Sequence, residues 1–559
     1  MYIEELNQIL ESVLKELGYD VKPNLTVSNR PDLCDYQSND IFKIAKEYHS
    51  NPMEIGDKVC NALKEKTDYF SDVQFVKPGF INIKLSDSFI NKYVDITNDD
   101  IKKTLILPKK ETYMVDYGGP NVAKPLHVGH MRTAIIGESI KRIIKFFGNE
   151  AIGDIHLGDY GLQIGEVIYA IKRDNLDLDK VDINYLSNAY PEMSKICDND
   201  EDIRNQCAKI VKNLQDGNPE YQKMWKKILQ VSTDDMKRIY NYLDVHFELW
   251  KGESDAYPYL PKAEEILKPY LRLSEGALVV DIKRDTDTKE IPPLLYKKSN
   301  GAYLYASTDI GTIVERMEDY NPDHIIYVTD ARQALYFEQV FRTVDKIGLC
   351  PESRLEHIGY GTVNGKDGKP YKTRNGDAAS LEYLINQTKE LFISKKDTNK
   401  DMSDNDINII TNAILKFADL QNNYENDYIF DLDKFSEVQG KTGPYLLYTY
   451  LRLNKILKDN EITSKLSNNI YDEYDRNLRL KLLEMPNALE KAFKERHPNY
   501  IADYVYDLAV CANAFYQHNH ISSLDDEIKK NDWLILIQVT NKVIKTLLNL
   551  LAIDIPSIM

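Results

Sequence analysis

"PNVAKPLHVGHMRTAIIGE", residues 120–138, holds two histidines three positions apart, a glycine between them and a lysine just upstream. The chain has only ten histidines, so placing two of them here asks for a reason. The stretch before it, "ETYMVDYG" (111–118), reads as a buried strand. The stretch after it, "MRTAIIGESIKRIIKFFG" (131–148), reads as a helix: Ile136, Ile140, Ile143, Ile144 and Phe147 share one side, and Gly148 is its stop. In a strand–loop–helix unit the helix start carries unpaired N–H groups and the positive dipole end, which attract phosphate. His127 and His130 fall in that first turn, where both can donate to phosphate oxygens, and Gly129 leaves room for a nucleotide against the backbone. Taken alone, a bare HxGH string favours two histidines that merely cap a helix. The Pro-Asn pair, Lys124 and the flanking strand and helix favour the phosphate site.

Outward from this unit, strands and helices alternate from about residue 106, with "HIIYVTD" (324–330) a later buried strand. That pattern predicts a parallel-sheet α/β domain over 106–400. Residues 1–105 predict a small α+β unit. A helix leads, helical pattern returns at 40–48 and 56–66, and "QFVKPGFINIKLS" (74–86) alternates like a strand pair around a Pro-Gly turn. The charged "NDDIKKT" (98–104) reads as a linker. Residues of about 180–290 are charged and helical, carry no visible chemistry and read as an insertion. Residues 401–559 have helical period throughout, which predicts an all-α bundle.

The 559 residues hold 88 acids against 71 lysines and arginines, a net charge of −17. Such an acidic total argues against a general nucleic-acid coat protein but not against a local basic groove. Six cysteines, at 34, 60, 197, 207, 350 and 511, form no CxxC pair, so no structural zinc or other protein-held metal is expected. Unpaired thiols, an acidic amphipathic start in place of a signal peptide, and an apolar run "WLILIQVTNKVIKTLLNLLAI" (533–553) broken by Gln, Asn and Lys together predict a cytoplasmic protein.

"HVGH" resembles the HIGH motif of class I aminoacyl-tRNA synthetases, and "DYGGPNVAKPLHVGHMRTAIIGE" (116–138) resembles arginyl-tRNA synthetases in particular. The resemblance continues in the family's order through "IHLGDYGLQIG", "YLYASTDIGTI", "IIYVTDARQALYFEQVF", "GKDGKPYKTRNGD" and "GKTGPYLLYTYLR". It implies a Rossmann-type catalytic domain, an N-terminal domain that reads the tRNA D-loop and a helical anticodon-binding domain. It also implies L-arginine, ATP with Mg2+, and tRNA(Arg) as substrates. Activation is an in-line displacement at phosphorus, so alignment and charge stabilisation matter more than a protein nucleophile. His127 and His130 are then catalytic, and Gly129 borders the ATP.

The family's KMSKS loop is replaced here by "KPYKTR" (369–374). Lys372 is the foremost triphosphate contact, with Lys369 and Arg374 as reserves, and the resemblance gives Lys124 a share of the role. A guanidinium with five donors needs carboxylates in fixed geometry. Asp116 and Asp309 match the family positions that face it, although many relatives have Glu at Asp116, so the reach is shorter here. Asn121 matches a contact to the amino acid's backbone groups, and Tyr305 and Gln333 match pocket-lining residues.

In "GPYLLYTYLRLNKIL" (443–457), Tyr445, Tyr448 and Arg452 share one helix face, opposite a stripe of Leu446, Tyr450, Leu453 and Leu457 that suits a core. Rings and a guanidinium suit unstacked RNA bases, and an aromatic stripe suits a core as well. The resemblance makes these three residues tRNA contacts, with Met559 close to the anticodon, and matches Phe80 and Asn82 to the base-contacting strand of the first domain. No DNA or membrane partner is expected, and the chain is expected to be a monomer. Rival readings are a lysyl or glutamyl synthetase, an HxGH nucleotidyltransferase and a non-catalytic tRNA-binding relative.

Overall fold

The computed structural model describes residues 2–299, 301–371, 380–395 and 402–559. Helix α1 (Tyr2–Glu16) buries Tyr2, Leu6, Leu10, Val13 and Leu14, the spacing of one amphipathic face. It is followed by β1 (Thr26–Val27), β2 (Tyr36–Ser38), α2 (Asp40–Glu47), α3 (Pro52–Lys66), β3 (Phe70–Val76), β4 (Phe80–Leu85) and α4 (Asp87–Asp99). The four strands form an antiparallel sheet in the order β1-β2-β4-β3.

The expected linker at 98–104 is not one. Asn98 and Asp99 end α4, and Ile101–Thr104 is a 3-10 turn capped by the Asp100 side chain. The reason is apolar: Phe89, Ile90, Tyr93 and Val94 of α4 are buried, and the helix is wedged against the C-terminal bundle.

The second unit begins with β5 (Thr112–Asp116), α5 (Val128–Phe146), β6 (Glu150–Leu157) and α6 (Leu162–Arg173). Three helices follow, α7 (Ile183–Asn199), α8 (Glu201–Gln215) and α9 (Pro219–Tyr242). Next come β7 (Leu249–Gly252), α10 (Glu253–Ala256), α11 (Leu260–Leu267), and a small antiparallel sheet of β8 (Leu271–Ser274), β9 (Ala277–Val280) and β10 (Leu294–Lys297). Then α12 (Tyr305–Asp319), β11 (His324–Asp330), α13 (Ala334–Lys346) and β12 (Leu355–Tyr360) complete a five-stranded sheet ordered β12-β11-β5-β6-β7. Every neighbouring pair in it is parallel. The insertion expected at 180–290 is thus divided: α7–α9 lie outside the sheet, whereas β7 is its edge strand.

A short parallel pair, β13 (Val363–Asn364) with β14 (Tyr428–Ile429), ties the sheet's end to the helices α14 (Leu381–Ser394) and α15 (Asp404–Leu420). After α16 (Leu432–Phe435), the helices α17 (Gly443–Asp459), α18 (Glu473–Leu483), α19 (Met485–Glu495), α20 (Asn499–His518) and α21 (Glu527–Leu550) pack as a bundle. The apolar run at 533–553 supplies the buried residues of α21, from Trp533 to Leu550. Among the described residues no helix is long and apolar enough to cross a membrane. Helix α21 also lies on α5, where Ser139 Oγ donates to Leu550 O at 2.8 Å and an Arg142 N–H donates to Asn549 O at 3.0 Å. Arg476 of α18 reaches the first domain through two 2.9 Å bonds to Asp35.

Candidate active site

Chain order and spatial order part company between β5 and β11: the chain winds one way through β6 and β7, then returns to the other side. In such sheets ligands bind at the carboxyl ends of the two strands where the winding reverses. A cleft of about 440 Å³ opens there, with Asp116 at the end of β5, Thr329 and Asp330 at the end of β11, and His127, Gly129, His130 and Gln333 among its walls.

The two histidines cap α5 reciprocally. His127 Nδ1 accepts from the Gly129 N–H at 3.1 Å, and His130 Nδ1 accepts from the His127 N–H at 3.1 Å. Their rings stack with centroids 3.7 Å apart. A backbone N–H can only donate, so each Nδ1 is unprotonated and each ring carries its proton on Nε2. Burial, with Lys124 nearby, holds His127 below the usual imidazole range. Burial, His127 and Lys124 push His130 down to about 3. Both rings are therefore neutral and keep one N–H to donate. Gly129 has a local reason as well, since a Cβ there would lie 2.9 Å from His127 Cε1.

Arg132, one turn on, was missed by the sequence reading. It is buried, donates to the carbonyls of Gly361, Tyr424 (3.2 Å) and Asn426 (3.1 Å), and faces Asp419 at 3.4 Å. It thus staples the histidine helix to the strands that lead into the "KPYKTR" loop. Tyr371 N–H donates to Val363 O at 3.0 Å on the near side, and Leu381 N–H donates to Leu126 O at 2.8 Å on the far side. Lys369 is exposed. Lys372 and Arg374 lie outside the described residues. Lys124 sits on the loop before α5, its ammonium 4.4 Å from the Tyr190 ring centroid.

The other end of the site is acidic. Asp116 Oδ2 accepts from Arg316 Nη2 at 2.6 Å, and the same nitrogen reaches Asp154 Oδ2 at 2.7 Å. Arg316 is fully buried, so Asp116 enters the site already paired. Asp309, in α12, accepts from the Tyr336 hydroxyl, and burial raises its carboxyl above the usual range. Tyr305 starts α12 and is 68% exposed. Asn121 bridges to Gly158, where any Cβ would strike the Asn121 amide at 2.1 Å.

Glu253 and His156 join this group unannounced. Glu253 opens α10 directly after β7. Its neighbours are satisfied: Ser254 donates through N–H and Oγ to Asp159 at 3.0 and 2.6 Å, and Gly252 N–H donates to Asp255 at 2.8 Å. Glu253 has no hydrogen-bond donor among the described residues. Burial pushes it up to about 7, with Asp159 and Asp309 adding to the rise and His156 opposing it. Both ring nitrogens of His156 are buried without a partner. Glu253 and the edge strand β7 lie within 180–290, so that segment holds a candidate site group where none was expected. A polar "GESD" directly after a short apolar strand was the available signal, masked by the charged helices before it.

On α17, Tyr445, Tyr448 and Arg452 form a ladder with α20. Arg452 donates to the Tyr448 hydroxyl at 2.8 Å and to Asn513 Oδ1 at 3.0 Å, and Asn513 Nδ2 donates to the Tyr445 hydroxyl at 3.0 Å. The Arg452 guanidinium lies over the Tyr448 and Tyr516 rings, at 4.6 and 5.0 Å. Leu446 and Leu453 are buried on the far side, with Tyr450 and Leu457 half-buried. Met559 packs, partly buried, on the bundle core. In the first domain Phe80 is partly exposed against Phe42, while Asn82 is buried, its Oδ1 accepting from Gln37 Nε2 at 2.8 Å. Gln37 therefore covers Asn82. Among the described residues no group of three or more His, Cys, Asp or Glu is placed to hold a metal ion.

A doubly wound parallel sheet whose switch point carries a histidine-capped helix defines the catalytic domain of a class I aminoacyl-tRNA synthetase, and residues 94–432 match the family model for the class I (R) tRNA synthetase catalytic domain. Residues 3–85 match the arginyl-tRNA synthetase N-terminal domain, and 446–559 match the DALR anticodon-binding domain. The chain belongs to the arginyl-tRNA synthetases and is an arginine–tRNA ligase. It is 43% identical to the arginine–tRNA ligase of Agathobacter rectalis over 99% of both chains, and 41% identical to that of Alkaliphilus oremlandii over 100% of this chain and 99% of the relative. The arginyl-tRNA synthetase structure from Plasmodium falciparum superposes with a TM-score of 0.83 at 25% identity, covering 100% of this chain and 99% of that one. The Thermus thermophilus structure gives 0.83 at 22% identity over all of both chains and bears on the fold alone.

Proposed function

We propose that the cleft holds ATP at its histidine end and L-arginine at its acidic end, and joins them there. The arginine carboxylate attacks the α-phosphorus, the bond to the β-phosphate oxygen breaks, and pyrophosphate leaves with its electron pair. A terminal ribose hydroxyl of tRNA(Arg) then attacks the adenylate carbonyl, and AMP leaves. The Nε2–H groups of His127 and His130 donate to the phosphates as negative charge moves toward pyrophosphate, with Gly129 bordering the nucleotide. Lys124, Lys369, Lys372 and Arg374 supply the positive charge, and ATP enters as its magnesium complex. Asp309 and Glu253 hold the guanidinium, Asp116 assists while held by Arg316, Asn121 takes the substrate's backbone groups, and Tyr305 and Gln333 close the walls.

The observation that supports this reading is the cleft at the sheet's switch point, which has on its walls both the histidine-capped start of α5, each ring with an Nε2–H free to donate, and Asp116 at the end of β5. Residues 1–105, 106–400 and 401–559 then act as D-loop reader, catalytic domain and anticodon reader. Phe80, with Asn82 behind Gln37, contacts the D-loop, and the Tyr445–Tyr448–Arg452 ladder and Met559 contact the anticodon side. The enzyme works as a cytoplasmic monomer, with no DNA or membrane partner. Exchange of labelled pyrophosphate into ATP, run with each amino acid with and without tRNA(Arg), tests the reading. Exchange should depend on arginine alone, and equal exchange with lysine or glutamate would overturn it.

A further inference from the structure

The segment that carries Lys124 is gripped by the helices of the insertion. Ala123 has a left-handed backbone, φ 68°, which turns the chain sharply just before the lysine. Its N–H donates to the buried Ser232 Oγ of α9 at 3.0 Å. One residue earlier, Val122 N–H donates to Gly158 O at 3.0 Å. From α7, Tyr190 places its ring 4.4 Å from the Lys124 ammonium. Among the described residues no carboxylate oxygen lies within ion-pair distance of that ammonium. The half-enclosed Lys124 is thus held by an aromatic face, which orients a cation without neutralising it. A carboxylate would hold the lysine as firmly but would cancel the charge that a triphosphate needs.

We infer that the helical insertion α7–α9 is the platform that aims Lys124 at the phosphates, with Tyr190 and Ser232 as positioning residues. The inference rests on Lys124 acting on ATP. Tyr190 fixes the ammonium through its ring, so phenylalanine should serve as well as tyrosine. Ser232 fixes the backbone turn through its hydroxyl oxygen.

The test uses the full-length enzyme in arginine-dependent pyrophosphate exchange, with melting temperatures taken alongside. Tyr190→Leu should lower kcat and raise the KM for ATP, together roughly threefold to tenfold, with the KM for arginine within about twofold of wild type. Tyr190→Phe should retain wild-type rates, and Ser232→Ala should follow Tyr190→Leu in direction. Added to Lys124→Ala, Tyr190→Leu should cause no further loss, because the group it positions is gone. A slow Lys124→Ala beside a wild-type Tyr190→Leu would overturn the inference and leave the role of Lys124 standing. A Tyr190→Phe variant as slow as Tyr190→Leu would also overturn it, since the ring face would not be what matters. A wild-type Lys124→Ala would overturn the inference together with the reading it rests on.

Discussion

The proposed phosphate end and the proposed guanidinium end of the site are built in opposite ways. At the phosphate end two histidines are held by backbone within four residues of themselves and stay neutral. In the proposed reading the positive charge comes from lysines outside that turn, Lys124 on the preceding loop among them. At the guanidinium end carboxylates converge from separate elements: Asp116 from β5, Asp309 from α12 and Glu253 from α10. The cation within that end, Arg316, is committed to Asp116 and Asp154. A substrate whose charge is fixed can be met by leaving protein charge uncompensated until it arrives. A substrate whose charge moves during reaction is met better by aligned dipoles that need no reorganisation.

If that contrast is right, the largest effect belongs to Asp309. Asp309→Asn keeps the Tyr336 contact but removes the charge facing the guanidinium. Breaking one partner of an enclosed charge pair costs about 3–5 kcal/mol, so arginine affinity should fall by roughly two to four orders of magnitude. ATP affinity should stay within about threefold, because the nucleotide lies at the other end. Equilibrium binding of each substrate separates the two, and equal losses for both would erase the distinction between the ends.

The histidines should behave differently in kind. His127→Ala and His130→Ala should each slow activation by about 2–4 kcal/mol of transition-state stabilisation while arginine affinity barely moves. Because His130 is held near 3 and stays neutral, its contribution should be flat between about pH 6 and 8. A rate that rises as pH falls through the ordinary imidazole range would mean that an imidazolium is the working form.

This contrast also explains what the sequence could disclose. The histidine end is local: strand, loop, cap and helix follow one another in 111–148, so the motif and its helical setting are readable together. The two readings of the HxGH string are compatible: the rings cap the helix through Nδ1, which leaves Nε2–H of each free for the phosphate contact proposed above. The acidic end is long-range. Asp116 and Asp309 were candidates through family resemblance, but Glu253 comes after a run of charged helices, and its place beside the sheet appears only when β7 joins the sheet edge. Arg132 was read as one more residue of a helix because the carbonyls it binds lie more than 200 positions away. The misread linker at 98–104 has the same origin: its surface charge is visible in the sequence, the bundle that buries α4 is not.

Glu253 sharpens the comparison through pH. Its carboxyl is pushed up to about 7 from an ordinary 4.5, and only the ionised form pairs with a guanidinium. The KM for arginine should therefore climb as pH falls below about 7, approaching tenfold per unit, and Glu253→Gln should abolish the climb while raising the KM at about pH 8. The free enzyme carries the converse cost. A carboxyl raised on folding contributes stability that is complete below about 4.5 and lost as pH rises through about 7. Glu253→Gln should thus melt higher than wild type at about pH 8, and arginine should stabilise wild type more than the variant. An unchanged melting point and an unchanged pH profile would remove Glu253 from the site.

The smallest effect lies farthest from the chemistry, on the α17–α20 ladder. Asn513 touches both Arg452 and Tyr445 and also donates from Nδ2 to Thr449 Oγ1 at 2.8 Å, so it sets the spacing of the face without standing on it. Asn513→Ala loses hydrogen bonds of about 1 kcal/mol each and lets the guanidinium and the rings drift. The KM for tRNA should rise by roughly threefold to tenfold, since base stacking on such rings is worth about 1–3 kcal/mol and would be only partly lost. At saturating tRNA the aminoacylation rate should return to wild type, because nothing in the ladder reaches the cleft. Raising the salt should weaken wild type and variant in parallel, as the phosphate contacts that carry the salt dependence are untouched. Aminoacylation measured across tRNA concentrations at two ionic strengths decides it. A kcat that stays low at saturating tRNA would show that the ladder shapes the catalytic domain as well as the RNA, and the separation of the bundle from the two ends of the cleft would have to be abandoned.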